Sequence, residues 1–339
     1  MDDRLEFLLP LEPVQGQEYV FRHHVPLKAE VAVQYWSRRD GKTQPPEHLL
    51  VFILGERPLP HQLMIGNPGL LGYYPPFLSH LHSILPPTHA ILSTSNIGHS
   101  PYLKAPDIPL DLDGQLASKV ELVQSLSAHL SAWALKEGVE KPRLSLIGHS
   151  VGAWLSCQVK KRLPELLDAV FLLFPTVGWI SETWNGRTLW PIFRWPTRQL
   201  LPTLAPLLGP ILPLTTFPPT TLTLLRSPIT IRHCLDLSVS EMEVIRDPDL
   251  GWFSEQAMYE SADSTETSQA VRGVYGIWSA GSLDGSVGRE GRMVQDALGG
   301  PHGGRVKVLH KVPHAFCLTL EHSRVVAESL AEWLKSRPL

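Results

Sequence analysis

A serine between two glycines is the first candidate for chemistry in this chain. Ser150 lies in a Gly-His-Ser-Val-Gly string between Gly148 and Gly152, after an apolar run at 143–147 and before a helix-like stretch at 151–162. A sharp strand-to-helix turn forces such a serine into strained backbone geometry, and side chains two positions away on either side would collide. The turn would lift the hydroxyl above the sheet, at a helix N-terminus that favours negative charge. The pattern predicts that Ser150 is a nucleophile.

A second Gly-His-Ser string, at residues 98–100, lacks these features. Pro101 and Tyr102 follow Ser100, so the second small residue of the motif is missing. This elbow cannot form without that residue. We therefore interpret Ser100 as a loop residue.

A serine hydroxyl is a weak nucleophile unless a base accepts its proton and a third group orients the base. The chain order expected with such an elbow is Ser, then Asp or Glu, then His. His314 lies in a loop between a strand-like run and the last helix-like stretch, whereas His310 fits the strand pattern and is interpreted as a packed or surface histidine. Asp284, thirty positions before His314, is the candidate acid. Its alternative interpretation is an ordinary Asp-Gly turn. Asp296, on a helix-like stretch, is a second candidate for the acid.

The negative charge that develops on the attacked carbonyl needs N–H donors, which form an oxyanion hole. One donor is usually the residue after the nucleophile, here Val151. The other comes from a loop after an early strand, and the Gly-Asn-Pro-Gly string at 66–69 fits because its glycines allow close backbone approach. Pro68 has no N–H, so Asn67 is the candidate for the second donor.

Apolar runs alternate with helix-like stretches along the chain, which is typical of a parallel sheet covered by helices on both faces. With the elbow, this predicts an α/β-hydrolase fold: one domain over residues 1–339, with a mostly parallel central sheet. The strand-like runs lie at 49–54, 61–65, 89–94, 143–147, 169–174, 272–280 and 304–312, and the helix-like stretches at 73–85, 115–136, 151–162 and 323–336.

Composition excludes several classes of function. The net charge of -3 gives no basic excess, so nucleic acid is not an expected partner. The chain begins without the charged-then-apolar pattern of a secretory signal, which favours the cytosolic side of membranes. The few cysteines show neither a disulfide framework nor zinc spacing, and the expected chemistry needs no metal or organic cofactor. These cysteines are Cys157, Cys234 and Cys317.

The middle of the chain is predicted to be a cap over the sheet, inserted at about 181–246. Its stretch 199–225 has no charged residue, but repeated prolines argue against one continuous membrane-spanning helix. One interpretation is a hydrophobic lid packed on the active site. The other is a surface, at 184–225, that inserts apolar residues into a lipid monolayer while Arg194 and Arg198 stay with the headgroups. The two roles are compatible.

Several strings in the chain are similar to those of the lipid droplet-associated hydrolase family. The resemblance covers most of the chain after residue 47. The strings are Gly-Asn-Pro-Gly with Tyr-Tyr-Pro-Pro-Phe at 66–77, Ser-Asn-Ile-Gly-His-Ser at 95–100, Gln115 with Lys119, Gly-His-Ser-Val-Gly-Ala-Trp at 148–154, Phe-Pro-Thr at 174–176, Asn-Gly at 185–186, Asp-Gly at 284–285 and Pro-His-Ala-Phe at 313–316. Relative to the family, residues 55–64 look like an insertion, and Ser286 and Val287 stand where the family tends to carry a tryptophan.

The resemblance implies an α/β-hydrolase with a Ser-Asp-His triad, lipid esters such as sterol esters as substrates, and a location at the surfaces of lipid droplets and the endoplasmic reticulum. We therefore expect a serine ester hydrolase that works at a droplet surface through Ser150, Asp284 and His314. Two alternatives stay open. One is an acyltransferase with the same triad, and the other is a droplet-bound scaffold with a hydrolase fold and little or no activity.

Overall fold

The computed structural model describes residues 2–10, 12–57, 67–208, 218–259, 271–281 and 284–335. Within them, eight strands form one sheet: β1 (Gln15–Arg22), β2 (Glu30–Trp36), β3 (His48–Ile53), β4 (His89–Thr94), β5 (Arg143–His149), β6 (Ala169–Leu173), β7 (Gly273–Ser279) and β8 (Val306–Leu309). The α-helices are α1 (Pro75–Ile84), α2 (Leu112–Glu137), α3 (Val151–Arg162), α4 (Trp184–Leu189), α5 (Thr197–Leu208), α6 (Pro219–Leu225), α7 (Pro228–Val244), α8 (Leu250–Met258), α9 (Arg289–Ala297) and α10 (Leu320–Lys335).

The strands lie in the order β1-β2-β4-β3-β5-β6-β7-β8. β2 runs antiparallel to both of its neighbours, and every pairing from β4 through β8 is parallel. The carboxyl ends of the parallel strands therefore meet at one edge, where ligands bind in open α/β sheets. This topology confirms the predicted α/β-hydrolase fold.

Both faces of the central strands are buried, and β3 shows why its sequence is apolar from Leu49 to Ile53. Leu49, Val51 and Ile53 point into one core with α2 and α3, whereas Leu50 and Phe52 point into the other with α1 and α10. Because successive side chains of a strand alternate between faces, a central strand covered on both sides must be apolar at every position.

Helix α2 shows how local sequence sets an element's ends. The side chain of Asp111 accepts a hydrogen bond from the N–H of Gly114 at 2.8 Å and caps the N-terminus. Gly138 ends the helix at a φ of 66°, a conformation that glycine adopts without steric cost. Between these ends lies the helical stretch predicted at 115–136.

Helices α4 to α7 lie between β6 and β7, in the region predicted to be a cap. Helix α6 contacts the loop before α1, since the hydroxyls of Tyr73 and Thr221 are 2.6 Å apart. Helix α5 contains Pro202 and Pro206, yet it continues from residue 197 to 208. No helix in the described part of the chain has the length and apolar character needed to cross a bilayer.

The first two strands of the sheet were not predicted from the sequence. Strands β1 and β2 precede every predicted strand, although Val31, Val33 and Tyr35 alternate toward one core as in an ordinary strand. The run predicted as a strand at 61–65 lies outside the described residues. The other predicted strands and helices are present within a few residues of their expected bounds.

Candidate active site

The nucleophile elbow joins β5 to α3. Ser150 has φ 55° and ψ -123°, a conformation rare for a residue with a side chain. A Cβ at Gly148 would lie 2.4 Å from the carbonyl oxygen of Gly152, and one at Gly152 would lie 2.3 Å from that of Ile53. Neither contact is possible for a real side chain. The close packing of α3 against β3 and β5 therefore requires both glycines.

Asp284 and His314 lie together at the carboxyl edge of the sheet. They follow β7 and β8, which are neighbours, so the loops after these strands meet. Nδ1 of His314 is 2.8 Å from each carboxylate oxygen of Asp284, and the His314 side chain is fully buried. Because a carboxylate only accepts, Nδ1 carries the proton, and Nε2 of the neutral ring then holds the lone pair that a general base uses.

The Asp284 carboxylate is itself held by the main chain. Its Oδ1 accepts hydrogen bonds from the N–H groups of Ser286 at 3.0 Å and Val287 at 3.2 Å. These are the two residues that differ from the family's pattern, and both hold the acid through backbone atoms. The main chain after Gly285 therefore contributes two of the hydrogen bonds that hold the carboxylate.

The base loop and the elbow are in direct contact. Nε2 of His149, the residue before Ser150, is 3.1 Å from the main-chain oxygen of His314. The two imidazole rings have centroids 5.0 Å apart. The nucleophile and the base candidates thus lie on the same side of the molecule, at the same sheet edge.

Thr176 is a neighbour of the nucleophile whose contact the sequence did not predict. Its Oγ1 is 3.3 Å from the Oγ of Ser150, and its N–H donates to the main-chain oxygen of Ser150 at 3.2 Å. It belongs to the Phe-Pro-Thr string after β6, which carried part of the family resemblance. The presence of Thr176 in that string was the sequence signal from which its place at the site could have been inferred.

The two candidate oxyanion donors, Val151 and Asn67, lie in different kinds of secondary structure. Val151 is the first residue of α3, so its N–H belongs to the free N-terminus of the helix. Asn67 pairs with Arg57 in a two-residue antiparallel pair of strands. Gly55, just after β3, passes close to Ser150, because a Cβ there would lie 2.5 Å from the Cβ of Ser150. Gly55 was not predicted from the sequence, although it is the first glycine after an early strand.

The alternative residues lie elsewhere. Asp296 forms an exposed ion pair with Arg292 in α9, at 3.0 Å. His310 is exposed in the turn after β8, and Ser100 lies in a loop after β4. The structure therefore brings Asp284, and not Asp296, to His314, the candidate base.

Two further groups surround the acid loop. Glu290 is fully buried, its Oε1 accepts the N–H of Gly288 at 2.8 Å, and burial raises the pKa of its carboxyl to about 7. Asn185 of α4 donates to the Oγ of Ser286 at 2.7 Å and ties the cap to the acid loop.

No cluster of three or more histidine, cysteine or acidic side chains arranged for a metal occurs among the residues the structure describes.

Comparisons with known proteins agree with this architecture. A yeast (Saccharomyces cerevisiae) monoglyceride lipase has a TM-score of 0.55 at 13% identity, over 96% of this chain and 97% of its own. A bacterial membrane phospholipase A has a TM-score of 0.58 at 13% identity, over 94% of this chain and 86% of its own. At such low identity these likenesses show the fold alone.

Sequence relatives indicate the family. Lipid droplet-associated hydrolases of Homo sapiens and Pongo abelii are 33% and 34% identical over 134 residues, which are 38% of this chain and 41% of each relative. The chain thus spans about two fifths of the length of the curated relatives it matches. The family model for the lipid-droplet associated hydrolase matches residues 61–317. Because that match covers well over half of this chain, the chain belongs to the lipid droplet-associated hydrolase family.

Proposed function

We propose that this chain is a serine ester hydrolase that acts on lipid esters, with sterol esters among the expected substrates. Ser150 is the nucleophile, His314 the general base and Asp284 the group that orients and stabilises the imidazole. The observation that carries the proposal is the buried contact of both Asp284 oxygens with Nδ1 of His314, in a loop whose main chain is bonded to the residue beside Ser150.

The reaction follows from these positions. His314 takes the hydroxyl proton through Nε2 as the Ser150 oxygen attacks the ester carbonyl, and the imidazolium then protonates the leaving alcohol. N–H groups of Val151 and Asn67 stabilise the oxyanion, each worth about 3 kcal/mol of barrier. Water, activated by the same imidazole, then cleaves the acyl-enzyme and regenerates the serine. No step needs a metal or an organic cofactor.

The location we propose is the surface of lipid droplets and of the endoplasmic reticulum, on the cytosolic side. The support lies in the cap surface, the part of the described chain at 184–208. Leu200, Leu204 and Leu207 are spaced as one helical face of α5, and all three are about half exposed or more. Trp184 is 62% exposed and Trp195 76% exposed.

Such a surface suits a lipid monolayer. Tryptophan rings prefer the depth of the headgroups, and leucine side chains gain by entering the acyl region. Arg194 lies over the ring of Trp190, at 5.5 Å from its centroid, and Arg198 lies 3.4 Å from Asp236. The cap surface therefore combines exposed apolar side chains with two arginine side chains.

Turnover of an ester panel tests the proposed activity. The panel contains p-nitrophenyl esters of increasing chain length, cholesteryl oleate and triolein, and the proteins are the native chain, Ser150→Ala and Ser100→Ala. We expect the native chain and Ser100→Ala to hydrolyse at least one ester, and Ser150→Ala to be slower by about 1,000-fold or more.

Hydrolysis that survives in Ser150→Ala would contradict the proposal. Native protein inactive on every ester would contradict it too, and would favour the scaffold. Transfer of the acyl group to an added alcohol, in preference to water, would make the chain an acyltransferase.

A further inference from the structure

Two buried side chains link the loop before α1, the elbow and the base loop. The hydroxyl of Tyr74 is 2.9 Å from Nδ1 of His149, and Nε2 of His149 is 3.1 Å from the main-chain oxygen of His314. Tyr74 is fully buried and His149 is 1% exposed. We call this set of contacts the Tyr74–His149 link.

The directions of its hydrogen bonds follow from the chemistry of the groups. The carbonyl oxygen of His314 can only accept, so Nε2 of His149 must carry a proton. In the neutral ring Nδ1 is then an acceptor, and the Tyr74 hydroxyl donates to it. The two hydrogen bonds therefore point the same way: the Tyr74 hydroxyl donates to His149, and His149 donates to the main-chain oxygen of His314.

Aromatic packing holds the two linking side chains in place. The ring of Tyr74 packs edge-on against Phe52 of β3, with centroids 4.9 Å apart. The ring of His149 packs edge-on against Phe316, two residues beyond the base, at 5.1 Å. Both partners are fully buried, so neither linking ring can turn without disturbing the core.

These contacts bear on the distance between the base and the nucleophile. His149 is covalently joined to Ser150, and its side chain binds the carbonyl of the residue that carries the base. Tyr74 extends the link toward the segment that contains the oxyanion candidate Asn67. Displacement of a reacting group by about 1 Å can cost a large factor in rate.

We propose that Tyr74 and His149 are positioning residues, which set His314 at its working distance from Ser150 without touching substrate. The inference rests on the proposed serine hydrolase function and deepens it. It assigns a role to the histidine inside the elbow and to the second tyrosine of the Tyr-Tyr string.

The test uses three variants and one matched control. Tyr74→Phe removes the donating hydroxyl and keeps the ring. His149→Phe removes both bonds and keeps an aromatic ring, whereas His149→Gln returns an amide N–H that can reach the His314 carbonyl. The control Tyr73→Phe makes the same chemical change one residue earlier, where the hydroxyl contacts Thr221 of α6.

The measurement is the labelling of the full chain by a fluorophosphonate, followed over time and over pH. The final stoichiometry reports how much protein is folded and competent, and the rate constant reports how well Ser150 is activated. We expect full stoichiometry, with rates about tenfold lower for Tyr74→Phe and lower still for His149→Phe. His149→Gln should recover part of the loss, and Tyr73→Phe should label like the native chain.

The outcomes separate this inference from the proposed function. If Tyr74→Phe and His149→Phe label at the native rate with the native pH profile, the positioning role is wrong while the hydrolase proposal stands. The role is equally wrong if these variants lose stoichiometry at an unchanged rate constant, because that result indicates a purely structural contribution. If the native chain is not labelled at Ser150, both proposals fall.

Discussion

Ser150 occupies a backbone conformation that would be costly without its surroundings. Its N–H donates to the carbonyl of Leu173 at 3.0 Å, and its own carbonyl accepts from Ala153 and Thr176. Strain of this kind persists only where neighbouring contacts fix it, and it is concentrated at functional sites. The need for Gly148 could be inferred from the local sequence, because a Cβ there would meet Gly152, whereas the need for Gly152 depends on Ile53 in another strand.

Other residues of the site were less accessible to sequence reasoning. Asp284 and His314 could be proposed from chain order and from their position after strand-like runs. The contact of Tyr74 with His149 spans 75 positions, and that of His149 with His314 spans 165. No local pattern encodes such pairings, since they depend on which strands become neighbours in the sheet.

Glu290 offers a prediction about pH. Burial, assisted by the charge of Asp284, raises the pKa of its carboxyl from 4.5 to about 7, although the hydrogen bond from the Gly288 N–H and the charge of Arg289 partly oppose the shift. The folded chain therefore holds this proton more tightly than the unfolded chain. The stability that Glu290 contributes is fully present below about pH 4.5 and is lost as the pH rises through 7.

Glu290→Gln has no such proton to lose. Its free energy of unfolding, relative to the native chain, should rise between pH 5 and pH 8, by about 3 kcal/mol at most. Urea unfolding at the two pH values measures this, with the exposed Glu255→Gln as the control for loss of one carboxylate. If the free energy of unfolding of Glu290→Gln differs from that of the native chain by the same amount at both pH values, the buried carboxyl is not protonated in the folded chain.

At the scale of elements, the elbow depends on how closely α3 approaches β3. Gly152→Ala would place a Cβ 2.3 Å from the main-chain oxygen of Ile53, so the helix must move away from the strand. We expect a loss of about 3 kcal/mol of unfolding free energy, as for other overpacked sites, together with loss of labelling at Ser150.

Gly251→Ala is the matched control for that change. This glycine is also near the start of a helix, α8, but a Cβ there would meet no atom closer than 3.7 Å. Its unfolding free energy should stay within about 1 kcal/mol of the native value. Equal stability of the two variants in urea would mean that the close approach of α3 to β3 does not constrain residue 152.

The sequence predicted whether an element is a strand or a helix where the burial of its side chains follows a regular pattern. The apolar runs at 49–54 and 169–174 predicted the central strands β3 and β6. β1 was harder to recognise, because most of its side chains are exposed or half-buried at the antiparallel edge of the sheet. A strand whose side chains are mostly polar gives a weak periodic signal.

At the scale of the whole molecule, the active-site loops and the exposed cap surface are connected. Asn185 of α4 bonds the acid loop through Ser286, and Trp184 beside it is exposed to solvent. A surface that docks on lipid through Trp184 would therefore hold the site near the layer that contains its esters. The sequence predicted an apolar surface at 184–225, and the structure adds which of its described side chains face outward.

The double variant Trp184→Ser, Trp195→Ser tests this docking. It removes two large exposed rings and leaves the triad candidates intact. Binding to phospholipid-coated triolein emulsions, measured by flotation, should weaken about tenfold or more, whereas hydrolysis of a soluble short-chain ester should be unchanged. The control Leu135→Ser removes an apolar side chain that is 84% exposed at the end of α2. Native-like flotation of the tryptophan variant would contradict the docking surface.

The central claim is that Ser150 is an activated nucleophile, and mapping of a fluorophosphonate adduct by mass spectrometry tests it most directly. The account predicts one adduct per native chain, on the peptide that contains Ser150, and its loss in both Ser150→Ala and His314→Phe. An adduct on the other Gly-His-Ser string at Ser100, or no adduct on folded native protein, would contradict it.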